Sequence, residues 1–303
     1  MMNEKKYSGV IIPAVTPLTE RHTLDHVAVE KMFDHFHNSS VHPFILGTTG
    51  EAASLPLAIK NEFLQVAGKL KKNGEMLYSG ISYNAFVESV ELAKRSFDHG
   101  VDVVVATIPS YYSLSETAML QYFEQLAEAI KGPLMIYNIP ATTHMSIPLN
   151  IIDRLSFHPN VVGMKDSERS EARLSMSLKL WKNRNEFSHL LGWAAKSAEA
   201  LFDGSDGLVP STGNVQPQLY TDLYLAARNG DQLRALSLQK ISDELGNIYQ
   251  SGRTLGESLW ALKVLMKQVG LCDSHVMPPI YEGSSEEEEK LLLAFDKLMK
   301  TVR

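Results

Sequence analysis

Eight short apolar runs recur through the first 230 residues of this 303-residue chain, and segments of helical spacing lie between them. The runs read GVIIPAVTPL, PFILGTTG, MLYSGIS, VDVVVATIP, PLMIYNIP, VVGMKDS, FSHLLGW and DGLVPSTGN. They are short, rich in β-branched and other apolar residues, and lack the polar alternation of a strand with one face in water. Strands of this kind are buried on both faces, a demand met by parallel strands with helices packed over them. The intervening segments include residues 25–40, 56–73, 85–99, 115–131 and 171–183, several opened by Asp, Ser or Pro and closed by Gly or Asn. About eight β-α units close a parallel barrel. A doubly wound open sheet is the competing arrangement. It does not need eight equally apolar strands, however, and no G-x-G-x-x-G follows the first run. The expected fold is α/β, a (β/α)8 TIM barrel occupying residues 1–230.

Residues 231–303 keep helical spacing in DQLRALSLQKISDELGNIY, GESLWALKVLMKQVG and SEEEEKLLLAFDKLMK, with no strand among them. No low-complexity linker precedes this stretch, so it is expected to be a C-terminal helical extension packed on the barrel or engaged in an oligomer contact. The run Glu286 to Glu289 suits the first turn of a helix, where negative charge meets the positive end of the macrodipole. An apolar share of 44% supplies a large core, and a formal charge of -6 speaks against a nucleic-acid or anionic-membrane partner. Cys272 is the only cysteine, which excludes an internal disulfide and a cysteine-cluster metal site and fits a reducing compartment. The charged start MMNEKKYSGV lacks the apolar centre of a signal peptide, and no run approaches the ~18 apolar residues that span a bilayer. The expected location is the cytoplasm.

Barrel enzymes carry their reacting groups where strands end, so the residues closing each run hold the chemistry. The sixth run ends in Lys165, a cation in a stretch that is otherwise Val, Val, Gly and Met. Either it lies just past the strand, snorkelling to water or pairing with Asp166, or it is a partly desolvated amine able to attack a carbonyl and form a Schiff base. The second run ends in GTTGE, where Gly47, Thr48, Thr49 and backbone N–H groups can converge on an anion such as a carboxylate; a plain strand-to-helix turn is the alternative. The fifth ends in YNIP, placing the Tyr137 phenol in the barrel mouth, either for chemistry or as packing. Tyr111 and Tyr112 follow the fourth run, where surface packing is the plainer reading. A Lys, a Tyr and a Thr-Thr pair at the ends of strands six, five and two would share one cavity.

GTTGE, YNIP and GMKDS, in this order and at these separations, resemble the pyruvate-dependent class I aldolase superfamily typified by dihydrodipicolinate synthase and N-acetylneuraminate lyase. GSDGLVPSTGN extends the resemblance to strand eight, so that it covers essentially the whole chain. The resemblance implies a (β/α)8 barrel, a homotetramer built as a pair of dimers, pyruvate and an aldehyde as substrates, and no metal or organic cofactor. It also implies that Lys165 is the Schiff-base lysine and Tyr137 the proton-shuttling phenol, with Thr48 and Thr49 holding the pyruvate carboxylate. By the same resemblance Tyr112 is a relay tyrosine entering the neighbouring subunit's site, while Gly192 and Val209 line the bound keto acid.

Departures from the family pattern narrow the substrate. Synthases usually place Arg two residues after the Pro of YNxP to grip aspartate semialdehyde; here Thr142 stands there. Sialic acid lyases follow the strand-seven Gly and aromatic with an Asp-Glu pair, which Ala194 and Ala195 replace. What remains is similar to aldolases acting on 2-keto-3-deoxy sugar acids, with Thr142, Thr143, Ser211 and His144 as candidate acceptor contacts. Dihydrodipicolinate synthase, a keto-deoxy acid dehydratase and a non-catalytic keto-acid-binding barrel are the alternatives.

Overall fold

In the computed structural model, which describes residues 5–302, eight strands pair in parallel and in sequence order, and the eighth returns to the first. They are β1 (Gly9–Pro13), β2 (His42–Ile45), β3 (Tyr78–Gly80), β4 (Val103–Ala106), β5 (Leu134–Asn138), β6 (Val161–Asp166), β7 (Ser188–Leu191) and β8 (Gly207–Leu208). Gly9 opposite Gly207 and Val10 opposite Leu208 close the barrel. Seven of the expected runs contain one of these strands whole, and the second, PFILGTTG, misses only His42, the first residue of β2. The charged N-terminal stretch begins in residues 1–4, which lie outside the described residues.

Among the described residues twelve α-helices accompany the strands: α1 (His26–Asn38), α2 (Leu57–Leu70), α3 (Phe86–Asp98), α4 (Glu116–Ile130), α5 (Pro140–Thr143), α6 (Leu149–Leu155), α7 (Glu171–Trp181), α8 (Ser197–Asp203), α9 (Pro217–Arg228), α10 (Gln232–Gln250), α11 (Leu255–Gln268) and α12 (Ser285–Val302). Their starts follow local chemistry. Asp25 accepts from the Ala28 N–H at 3.1 Å and Ser115 from the Ala118 N–H at 3.2 Å, satisfying donors left open by the first turn. Thr254 and Glu257 form a capping box at the start of α11. Helices α5 and α6 were not expected: four and seven residues are too few for helical spacing to stand out.

The apolar side chains separate into two clusters. Phe44, Tyr78, Val105, Met135, Tyr137, Leu190 and Val209 fill the barrel, while Ile45, Val104, Ile136, Met164 and Leu191 turn outward to the helices. This alternation within strands that look uniformly apolar follows from the two-residue pleat. Beyond the barrel, α10 packs on α9 and α12, and α11 on α12. No helix among the described residues is long and apolar enough to cross a membrane.

Candidate active site

Strands β5 and β6 are neighbours, and their register sets Tyr137 directly opposite Lys165. An irregularity precedes this pair: Leu134 faces Val161 but Met135 faces Gly163, so Val162 is an extra residue in β6. Such a bulge shifts the phase of alternation by one. Val161 and Met164 face the helices, and Lys165 follows inward while Asp166 turns out. The Lys165 amine lies 3.9 Å from the Tyr137 ring centre and 5.0 Å from that of Phe44. Lys165 is only 4% exposed and sits inside the strand, which removes the reading of a lysine snorkelling past the strand end. Pairing with Asp166 is removed as well, because that carboxylate accepts from Arg173 Nε at 2.7 Å on the barrel's outer side.

The Tyr137 phenol is buried, which raises its pKa. The charge of Lys165 and hydrogen bonds with Thr48, Ser167 and Lys165 outweigh that effect and hold it below the ordinary tyrosine value. Gly192 makes room for this arrangement: a Cβ there would lie 2.1 Å from Ser167 Oγ. Gly47, Thr48, Tyr137 and Thr142 line one cavity of about 410 Å³, as does Phe44, whose ring lies against the Lys165 amine; Lys165 itself is not among the lining residues. Thr49 is buried in the same turn as Thr48.

The remaining expected residues are more scattered. Val209 is buried in the barrel cluster with Tyr137. Ser211 directs its hydroxyl to Tyr249 Oη of α10, 2.7 Å away, and is not among the cavity's lining residues. Thr143 is buried on the wall of the same cavity as Thr142, and its one hydroxyl proton is shared between the backbone oxygens of Met145 at 2.9 Å and Ile139 at 3.1 Å. His144 is exposed in the left-handed conformation that ends α5. Tyr112 is 73% exposed, its ring edge-on to Tyr111 with centres 4.9 Å apart, and it too is absent from the cavity wall.

A family model described as the Dihydrodipicolinate synthetase family matches residues 6–297. The chain belongs to the dihydrodipicolinate synthetase family. With that family it is a class I aldolase or lyase. A probable 2-dehydro-3-deoxy-D-pentonate aldolase of Escherichia coli K12 is 30% identical over 291 residues, 95% of this chain and 96% of that protein. The solved dihydrodipicolinate synthase of Bacteroides thetaiotaomicron superposes with a TM-score of 0.91 at 30% identity, covering 97% of this chain and 99% of that one. A prophage protein of the dihydrodipicolinic acid synthase family from Escherichia coli K12, solved in complex with pyruvate, gives the same TM-score at 25% identity, with 97% and 99% coverage.

Three features of this family member escaped sequence reasoning. Asp166 anchors a buried network: it accepts from Asn138 Nδ2 at 2.9 Å, from the Glu168 N–H at 3.0 Å and from Arg173. Thus Asn138 and Asp166, the residues after Tyr137 and Lys165, bind each other. Lys60 of α2 lines the cavity with its amine 4.0 Å from the Tyr83 ring centre, and burial pushes that amine down to about 8. Its position three and four residues before the buried Phe63 and Leu64 was the available signal, because those spacings share a helix face. Glu51, the last residue of GTTGE, forms a buried ion pair with Lys263 of α11. Lys263 interrupts the apolar run LWALKVLM, but nothing local names its partner.

Proposed function

We propose that this enzyme cleaves a five- or six-carbon 2-keto-3-deoxy sugar acid to pyruvate and a small hydroxyaldehyde through a Schiff base on Lys165. The observation that carries this reading is the buried Lys165 amine set against Tyr137, beside a cavity that opens onto Gly47, Thr48 and Thr142. In the proposed sequence the neutral amine adds to the keto carbon and water leaves, forming an iminium. The bond between C3 and C4 then breaks; its electrons flow into the iminium, and the C4 hydroxyl gives up its proton as the aldehyde departs. Protonation of the resulting enamine at C3 and hydrolysis release pyruvate and restore the amine. Tyr137 carries the protons, and its contacts with Thr48 and Ser167 hold the phenol in place. Thr48 and Thr49 seat the keto acid's carboxylate, Gly192 and Val209 border the keto acid, and Thr142 meets the acceptor end. The hydroxyl of Ser211 shares a hydrogen bond with Tyr249, which orients it and leaves it one further hydrogen bond toward the acceptor end.

The preference for a hydroxyaldehyde rests on Thr142. A neutral hydroxyl does not reproduce the bidentate charged contact that a guanidinium gives a carboxylate. The relative named as a pentonate aldolase supports the same choice. One observation favours the synthase as a second reading: Lys60 is a cation on the cavity wall, available to an acidic acceptor. Two measurements decide. Borohydride added with pyruvate should leave a reduced pyruvyl group on Lys165, read by peptide mass spectrometry. A panel of 2-keto-3-deoxy acids should give kcat/KM values at least ~10²-fold above those for condensation with aspartate semialdehyde, the scale of a lost charged hydrogen-bonding pair. An adduct confined to other lysines would remove the mechanism, and a preference for aspartate semialdehyde would make the synthase the correct assignment.

A further inference from the structure

The turn between β2 and the following helix is bracketed by two non-glycine residues in the left-handed region, Leu46 at φ 55° and Glu51 at φ 57°. Backbone of this kind persists only where surrounding contacts hold it. On one side the tether is the segment just after β1: Thr16 Oγ1 donates to the Gly50 carbonyl at 2.7 Å, and a Cβ on Gly50 would come within 3.0 Å of the Ala14 carbonyl. On the other side the tether is the C-terminal helical segment. Glu51 Oε1 meets Lys263 Nζ at 2.5 Å, and Glu51 Oε2 accepts from the Met277 N–H at 2.6 Å. Lys263 Nζ in turn donates to the His275 carbonyl at 2.7 Å. Both charged side chains are completely buried.

We propose that the Glu51–Lys263 pair is a positioning device, through which the C-terminal helical segment holds the Gly47–Gly50 turn in the shape that receives the keto acid's carboxylate. This rests on the reading of that turn as the carboxylate seat. Stability alone does not account for the pair, because an apolar pair of similar volume is often neutral or better in such a place. A charge-assisted contact supplies direction: it fixes the Glu51 carboxylate, and with it the backbone leading back to Thr48. The segment is also part of the site's wall, since Leu255, Leu259 and Ile280 line the same cavity as Gly47 and Thr48.

The test is the double variant Glu51→Gln/Lys263→Met, which removes both charges together and leaves neither buried alone. Borohydride trapping at increasing pyruvate gives a half-saturating concentration for the Lys165 adduct. That concentration should rise about 10-fold or more in the double variant, the scale of a displaced binding group. Turnover at saturating substrate should stay within about 3-fold, because Lys165 and Tyr137 are untouched. Glu51→Gln alone keeps an acceptor for the Met277 amide and should show a smaller rise in the same direction. A folded double variant with wild-type half-saturation would reduce the pair to a docking contact and overturn the proposal, as would lost turnover with half-saturation unchanged. Failure of both variants to fold would assign the pair to folding and overturn it equally. Absence of an adduct in the unaltered enzyme is a different result: it removes the carboxylate-seat reading and this proposal with it.

Discussion

Two residues directly opposite in adjacent strands face the same side of a sheet, and this alone brings an amine and a phenol together in the barrel. Neither side chain is where its chemistry is cheapest. Lys165 lies against the Phe44 and Tyr137 rings, and the buried Tyr137 hydroxyl is held by Thr48, Ser167 and Lys165. A phenol lowered below its ordinary pKa and lining the cavity is placed to exchange a proton with a bound keto acid under the proposed mechanism. Tyr137→Phe keeps the ring and removes only the hydroxyl, so turnover should drop about 10²-fold or more while the melting temperature changes little. Near-native turnover in a steady-state assay would make Tyr137 a packing residue. Sequence reasoning reached both residues because each closes an apolar run with a group that a core does not select.

At the scale of elements, β7 joins the barrel to α7 through His189. Its ring is buried against Trp181 and within 3.2 Å of hydroxyls from Ser177 and Ser205. Burial is the main cause that pushes it from 6.5 down to about 4; Lys5 and Arg173 act in the same direction, and Asp166 opposes them. The native state therefore refuses a proton that the unfolded chain accepts. The stability this supports is complete above pH 6.5 and is lost as pH falls toward 4, by up to about 3 kcal/mol. Urea unfolding at pH 7, 6 and 5 should show that decline, and His189→Asn should flatten it. An unchanged slope in the variant would transfer the acid sensitivity to other groups. The lone His in FSHLLGW was visible in the sequence, but an inward or outward orientation was not, and only the outward one packs it under α7.

For the whole molecule, the exposed Tyr111–Tyr112 pair is the part of the site region that the single chain leaves open. We propose that a second copy receives Tyr112 and that the active enzyme is an oligomer, in the manner the family resemblance implies. Light scattering at assay concentration should give a mass several times 33.7 kDa, and Tyr112→Phe should lower turnover less than Tyr137→Phe does. A fully active monomer would leave Tyr112 without a catalytic part. The C-terminal helices belong to this scale too. They cover the barrel's side at α9, bring Tyr249 to Ser211, and carry Lys263 to Glu51.

The sequence by itself determined the barrel, because a parallel sheet covered on both faces demands apolar strands and amphipathic helices, and both demands are written locally. It also determined which residue types stand at the strand ends. Tertiary structure decided where they point. Counted by simple alternation from the outward-facing Val161, Lys165 would also turn out toward the helices; the extra residue at Val162 reverses it, and a bulge exists only relative to the neighbouring strand. The same holds for Glu51 and Lys263, whose pairing no spacing encodes, and for Ser211, whose hydroxyl is drawn to Tyr249. Periodicity records what one element needs of its surroundings, whereas register, bulges and buried charge pairs are relations between elements distant in the chain, fixed only when those elements pack.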